Sequence, residues 1–511
     1  MAAKKLVLVV VDAMHPEMLR RAIDSGAAPT FGELAARGEL VDDMVASFPS
    51  VTPVCSSEMM TGVGPAGHWV IRMNWFHRLE RRYIEYGSSF EATRTFGLFR
   101  AMYDLVYNMN LDHLSWEAET VFERLGDAGI RTAATPFLIY RGRRRHELGL
   151  EGLARRAAAA ANFRHAVWGP DEFFYGDLYA SRATGCGPTF TRPGTRDEYS
   201  ACVAERLVHA DAYDFLLLSL PDNDFHSHRF GPGATVDSIA RADASFSRVV
   251  DAAGGLDRLL SDHAVILTAD HAQSDVTQPL ALADALGSEW QVLLPNADRP
   301  EETELAVSPT SRAAGVYLLD PGPSFAETHA KVRSRLASTP GVELIAWLTD
   351  ASGRPLARTG VGVDPRQEVY AVAARGEREL RFRPGGQLRD RRGESWEIDG
   401  FPEALEADIT RGSFETERYP DGMARLWSAL VSPHAGDILI SASEGYECVD
   451  WGGVSHAGGG SHGGLNREDS LAPLLFVGCG PKKPGKRPWA LRDIPPVITD
   501  HFGLRGRRLI G

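Results

Sequence analysis

Carboxylates and imidazoles cluster at the ends of three short apolar runs in this sequence, where they could share metal ions. Asp12 follows Lys5–Val11. Asp222, Asp224, His226 and His228 lie in PDNDFHSHRFGP, directly after Asp214–Leu220. Asp270 and His271 follow a third run that begins at Ala264, and His456 and His462 stand later, in VSHAGGGSHGG. Nitrogen and oxygen donors with no cysteine beside them suit borderline divalent ions such as zinc or manganese. There are enough donors for two ions, and a metal pair can clamp the attacking and leaving oxygens of an in-line phosphoryl displacement. Taken singly, each residue has an ordinary explanation, since an Asp at a strand end commonly caps a helix or bonds a loop. The inference rests on their joint placement.

Thr52 supplies a matching nucleophile. Pro53 suits the first position of a helix and Thr is a good N-cap, so we expect the Thr52 oxygen at a helix N-terminus, where N–H groups and the dipole favour an anion. A threonine hydroxyl is too weak an acid to attack phosphorus unaided, and a metal ion would supply the missing acidity.

The elements that must hold these residues are legible. Each apolar run is short, rich in Val, Ile or Leu, and apolar on both faces, as in a parallel strand covered by helices. Helical patterns at Pro16–Asp24, Thr30–Arg37, Asp197–His209 and Ser238–Ala252 separate them. This alternation predicts an α/β doubly wound, mostly parallel sheet with helices on both faces. Ligands of such sheets bind beyond the carboxyl ends of the strands, where the acidic residues fall. The spans 1–340 and 434–511 read as this core. Residues 76–192 form an aromatic- and arginine-rich insertion that still contributes a helix at Glu117–Gly129 and a strand at Thr132–Phe137. Residues 341–433 read as a small α+β insertion, after which Asp437–Ser441 and Leu474–Val477 return to core character.

Composition narrows the class. Of 511 residues, 43% are hydrophobic, enough for a large core, and the net charge of −13 opposes a nucleic-acid-polymer surface. It does not oppose a small anion, because metal ions bring their own positive charge. No apolar run approaches the ~20 residues that span a bilayer, so no membrane is expected. The apolar run after Lys4 and Lys5 is strand-length and stops at Asp12, which reads as a first strand rather than an export signal and leads us to expect a cytoplasmic protein. Cys55, Cys186, Cys202, Cys448 and Cys479 are odd in number and without CxxC spacing, which argues against a disulfide framework and a thiolate site and fits a reducing compartment.

The segment FPSVTPVCSSEMMTGVGPAGHWV, Phe48 to Val70, makes the reading specific. It resembles the nucleophile segment of type I phosphodiesterases and nucleotide pyrophosphatases, a branch of the alkaline phosphatase superfamily. Thr61-Gly62 follows Thr52 nine residues on and His68 sixteen residues on, as in that family. DxxxHxxGP (Asp224, His228, Gly231, Pro232), the DH pair and GSHG (Ser461, His462) then occur in the family's order. The resemblance implies an alkaline-phosphatase-like fold and a covalent phospho-threonine intermediate. One metal ion would be held by Asp12, Thr52, Asp270 and His271, and a second by Asp224, His228 and His462, with zinc first and manganese or iron also acceptable. Asp224/His228 is preferred to Asp222/His226 because His228 precedes Gly231-Pro232 at the family spacing, and His462 is preferred to His456 for its GSHG context. The resemblance also implies that Asn74, one position later than the family spacing, contacts a phosphoryl oxygen, while His68 is structural.

The function implied is hydrolysis of a phosphodiester or pyrophosphate bond in a small substrate, with the oligomeric state left open. A phosphomonoesterase or phosphonate-ester hydrolase on the same scaffold is the alternative, and a phosphomutase ranks below both. Monoesterases tend to add an arginine clamp, for which only Arg72 is at hand. A decayed binding module is opposed by the complete ligand set, and a sulfatase by Cys55 lacking CxPxR. The aromatics Phe90, Phe96, Phe99, Tyr103 and Tyr107 are expected to pack as a helix face, and Arg141–His146 to be a solvated surface.

Overall fold

A computed structural model describes residues 3–149, 162–176, 178–187, 197–297, 299–364, 366–481 and 487–504, with Arg156 and Ala159. Its first sheet has eight strands, in the order Glu39–Val45, Leu471–Val477, His263–Thr268, Lys5–Val11, Phe215–Leu220, Thr132–Ala134, Glu172–Tyr175, Tyr179–Ala180. The five central neighbours, His263–Thr268 through Glu172–Tyr175, pair in parallel, and the remaining strands are antiparallel. Every residue of Phe215–Leu220 and His263–Thr268 is buried, which explains why both read as continuous apolar runs.

The helices lie where the periodicity places them, at Pro16–Asp24, Pro29–Arg37, Asp197–His209 and Val236–Ala252. Val236–Ala252 buries Ile239, Ala242, Phe246, Val249 and Val250, the three- and four-residue stripe that packs one helix face on a sheet. Among the described residues no helix is long and apolar enough to cross a membrane.

A second sheet of nine strands does not respect the expected insertion boundary. Its strands from Val342 to Thr416 continue into Leu305–Thr310, Ala313–Leu318 and Ile438–Ala442, all fully buried and paired with one another. These flanking strands are as apolar as those of the first sheet, so composition alone assigned them to the core. The polar stretch 341–433 is the outer part of a larger sheet.

Three further expectations need correction. Cys186 and Cys202 are joined by a disulfide at a sequence separation of 16, where the cysteine pattern argued against disulfides. Arg141 is buried: it pairs with Glu123 at 3.2 Å and donates to the carbonyls of Leu114, Ser115 and Ala118, while Arg144 and Arg145 of the same run are exposed. Of the five aromatics, Phe96 and Tyr107 are buried but Phe90 and Phe99 stand in solvent. Alternating accessibility along a run is invisible when the tertiary partner is unknown.

Candidate active site

The parallel register aligns the strand ends. Val11 lies beside Leu220, and Val10 beside both Ser219 and Thr268, so Asp12, the Asp222–Phe230 helix and Asp270-His271 emerge together. Ala13 takes a left-handed conformation (φ 54°), which turns the chain and lets its N–H reach Asp270 Oδ1 at 3.3 Å. The loop carrying His462 approaches from the far side. Gly459 there lies so close to the Asp222–Phe230 helix that a Cβ would come within 2.0 Å of the His228 carbonyl oxygen, so no other residue fits.

Three histidines meet in this space with the same orientation. His228 Nδ1 lies 2.9 Å from the Gly460 carbonyl, His462 Nδ1 2.7 Å from the Ser50 carbonyl, and His271 Nδ1 3.2 Å from the Ala272 carbonyl. A carbonyl only accepts, so each Nδ1 carries the hydrogen and each Nε2 presents a lone pair. All three Nε2 atoms face carboxylates. His228 Nε2 is 3.5 Å and His462 Nε2 3.8 Å from Asp224 Oδ1; His271 Nε2 is 3.4 Å from Asp270 Oδ2 and 3.8 Å from Asp12 Oδ1. Backbone carbonyls holding the remote ring nitrogen are the usual support for a metal-ligating histidine.

Two donor groups result, Asp224 with His228 and His462, and Asp12 with Asp224 and His271; in each, the ligand atoms lie within 4.8 Å of one another. Asp224 belongs to both. The buried carboxylate oxygens Asp12 Oδ1 and Asp270 Oδ2 have no hydrogen-bond partner among the described residues, an arrangement that calls for a cation. Burial, and then the nearby carboxylates of Asp270 and Asp224, raise the Asp12 carboxyl well above the usual range. Burial, and then His271 and His228, hold His462 neutral far below its ordinary range, and burial does the same less strongly to His228. Neutral imidazoles beside crowded carboxylates fit divalent ions in both groups.

The Thr52 hydroxyl lies 3.2 Å from His271 Nε2. Its helix, Thr52–Thr61, is capped by Val51 and begins with Thr52 itself, so the N-cap expectation is one residue off. The hydroxyl is directed at the donor groups instead of closing the helix. Its position at the helix N-terminus is retained.

The rival residues are placed elsewhere or in support. Asp222 and Asp197 exchange backbone-to-carboxylate bonds of 3.0 and 3.4 Å. His226 faces the Ala234 carbonyl at 3.1 Å and Arg241 at 3.3 Å. His456 stands beside His228, ring centroids 4.1 Å apart, its Nδ1 2.8 Å from Glu447. Burial works against its protonation, but the Glu447 carboxylate prevails and raises it. Glu447 was missed in the sequence because no motif marks it; it also accepts from Ser461 at 2.6 Å and so braces the GSHG loop.

Asn74 does not itself line the cavity, although its amide reaches two residues that do, Ser88 Oγ at 3.4 Å and Thr310 Oγ1 at 3.3 Å. Its side-chain amide donates to the Pro309 carbonyl at 2.6 Å and accepts from Ser308 Oγ at 3.0 Å, wholly buried against the second sheet. Met73, the residue just before the strand Asn74–His77, lines the cavity instead. Arg72 is also buried away from it, donating to the Ala314 carbonyl at 3.2 Å. His68 is buried, with Nδ1 accepting from the Val70 N–H at 3.2 Å.

The cavity over the donor groups measures about 510 Å³. Tyr86, Phe137, Leu138, Tyr175 and Phe225 give it an apolar wall, and Glu91, Glu447 and Asp450 an acidic one. Among the described residues that line it, none is Lys or Arg.

This arrangement agrees with what the chain is similar to. Phosphonoacetate hydrolase from Sinorhizobium meliloti 1021 superposes with a TM-score of 0.55 in complex with phosphonoacetate and 0.54 in complex with phosphonoformate, at 15% and 14% identity; each match covers 99% of this chain and 96% of that one. Murine ectonucleotide pyrophosphatase/phosphodiesterase 5 superposes with a TM-score of 0.53 at 12% identity over 98% of this chain and 95% of that one. These likenesses establish an alkaline-phosphatase-like fold. No curated protein matches the sequence. The model of the type I phosphodiesterase/nucleotide pyrophosphatase family matches residues 6–465, nearly the whole of the central sheet and its site loops, and the chain therefore belongs to that family of phosphoester hydrolases.

Proposed function

We propose that this chain hydrolyses a phosphodiester or pyrophosphate bond at a two-metal site, with Thr52 as the nucleophile and a phospho-threonine intermediate. The observation that carries the reading is the Thr52 hydroxyl, 3.2 Å from His271 Nε2 and beside two donor groups that share Asp224. Asp12, Asp270, His271 and Thr52 would hold one ion, and Asp224, His228 and His462 the other; zinc suits the donors best. Bound there, the ions would make the hydroxyl more acidic and neutralise charge on the phosphoryl oxygens.

The chain's own residues set the rest of the reaction. Thr52 Oγ1 gives up its proton and attacks phosphorus; the P–O bond to the leaving group breaks, and that oxygen takes up a proton. Water then attacks the phospho-threonine, breaks the bond to Oγ1 and returns the hydroxyl. The Thr52 helix N-terminus stabilises the anion throughout. The apolar and acidic walls, with no Lys or Arg among their described residues, support a diester with an uncharged or cationic leaving group. The same walls oppose a carboxylate-bearing phosphonate such as the phosphonoacetate held by one structural neighbour.

A substrate panel tests this. With zinc supplied, a bis-aryl phosphodiester should exceed an aryl monoester, a nucleotide pyrophosphate and phosphonoacetate in kcat/KM. A monoester preference of tenfold, about 1.4 kcal/mol in transition-state binding, would overturn the diesterase reading.

A further inference from the structure

A third cluster of metal donors lies outside that cavity. It sits between the hairpin Asn74–His77/Arg82–Glu85 and the end of the helical segment Asp104–His113. That segment is wound as a π-helix, an uncommon geometry that is frequent at functional sites. One ligand atom each from Glu80, Asp112 and His113 lies within 4.8 Å of the other two.

Two exposed acids alone would be an ordinary surface; the buried histidine makes the difference. His113 Nδ1 is engaged by the Tyr86 hydroxyl at 2.6 Å. Its Nε2 is enclosed and has no hydrogen-bond partner among the described residues, so that the polar atom is buried without the bond it would make in water. Asp112 is exposed and makes no hydrogen bond or ion pair among the described residues.

Neighbouring groups prepare Glu80. Arg82 Nε donates to its Oε2 at 2.6 Å, while Nη1 and Nη2 of the same guanidinium donate to Asp104 at 2.7 and 2.9 Å. The other oxygen, Oε1, stays free of Arg82 and lies 3.6 Å from His77 Nε2. His77 Nδ1 accepts from the Glu80 N–H at 3.0 Å, so Nε2 carries the ring hydrogen and His77 orients the carboxylate without ligating. Glu80, Asp104 and Asp112 against Arg82 leave two negative charges, the complement of a divalent ion.

We propose that Glu80, Asp112 and His113 form a third divalent-cation site, distinct from the two groups around Thr52. One imidazole and two carboxylates suit zinc, with water completing the coordination; calcium would require oxygen donors throughout. An ion on Nε2 obliges Nδ1 to carry the hydrogen and donate to the Tyr86 oxygen, which already accepts from Trp75 Nε1 at 3.3 Å. Tyr86 lines the catalytic cavity, so the ion would pin the hairpin and the π-helical segment to one wall of that cavity.

The test counts zinc on the intact, zinc-dialysed chain by elemental analysis. The exposed pair Glu80→Gln/Asp112→Asn should bind one ion fewer than the unsubstituted chain while keeping its circular dichroism. His113→Gln, if folded, should lose the same ion. The pair is also made in a His462→Ala chain, where the difference of one ion must persist. That comparison separates this site from the catalytic one: a failed His462→Ala count would affect only the reading around Thr52. Equal zinc counts with and without the Glu80→Gln/Asp112→Asn pair, in both backgrounds, would overturn the proposal.

Discussion

Replacing Asp224 by Asn tests the shared-ligand geometry most sharply. The substitution is nearly isosteric, and an Asn oxygen can still accept the 2.6 Å bond from Gln273 Nε2, so the Asp222–Phe230 helix should be undisturbed. What disappears is one negative charge that faces His228 and His462 on one side and belongs with Asp12 and His271 on the other. At free zinc of a hundred times Kd, each site adds about 2.7 kcal/mol to stability. Weakening both sites a hundredfold or more removes most of about 5 kcal/mol of zinc-linked stabilisation, whereas His462→Ala removes only one site's share. The metal-free protein moves the other way. Asp224 is among the charges that raise the Asp12 carboxyl, so its loss relieves like-charge repulsion and leaves metal-free Asp224→Asn no less stable than the unsubstituted protein. Elemental analysis and thermal melts with and without zinc measure both effects. The comparison is made in the Glu80→Gln/Asp112→Asn background, so that only the ions around Thr52 are counted; should Asp224→Asn retain one tightly bound ion and half the zinc-linked stabilisation there, Asp224 serves one group alone and the shared geometry is wrong.

Further predictions follow from the same geometry. Thr52→Ala should keep both catalytic ions and fail to turn over, because its helix position survives while the attacking oxygen is gone; a phosphorylated protein trapped from that variant would exclude Thr52. His228→Ala should lose an ion and nearly all turnover, while His226→Ala, bonded only to Ala234 and Arg241, should stay within about tenfold of full activity, as expected of residues outside the ligand set. Asn74→Ala should lower thermal stability by about 1–3 kcal/mol through unpaired buried partners, with kcat per folded molecule little changed; a selective loss of kcat would return Asn74 to the reaction. His434 is held down to about 3, first by burial and then by His77, so its contribution is complete above 6.5 and is lost as pH falls toward 3. His434→Phe, which keeps a ring stacked on Trp75, should lose up to about 1.4 kcal/mol less than the unsubstituted protein for each pH unit across that window, measured by denaturant melts.

The sheet and most of the site were legible because both obey local rules. A strand buried on both faces must be apolar throughout, and a ligand at its carboxyl end must interrupt that run, so Asp12, Asp270 and His271 mark themselves. Asp224/His228 and Asp222/His226 share the i, i+4 spacing of one helix face, so the preference for the first pair came from the family spacing of His228 to Gly231-Pro232 and not from periodicity. The division of the chain was less legible, since Leu305–Thr310 and Ala313–Leu318 carry the same apolar signature as the first sheet. Nothing in a buried strand's own residues says which sheet it joins; that depends on pairing with Ile438–Ala442, over a hundred residues later.

Asn74 and His113 show why side-chain partners resist such reading. Both lie in the segment 76–192 or at its border, where no periodic pattern fixes the facing of a residue. For Asn74 the deciding fact is its hydrogen bonding at the start of the strand Asn74–His77: the amide turns toward Ser308 and Pro309, while Met73, just before the strand, lines the cavity. For His113 it is the π-helical winding of Asp104–His113, which shifts the ring relative to an α-helix and sets it between Tyr86 and the Glu80 turn. An α-helical periodicity argument would place His113 on a different face and would never join it to Glu80, 33 positions earlier in the chain. The candidate residues at the strand ends were therefore readable from the sequence, while those that shape the cavity wall became visible only with the backbone path of the insertion.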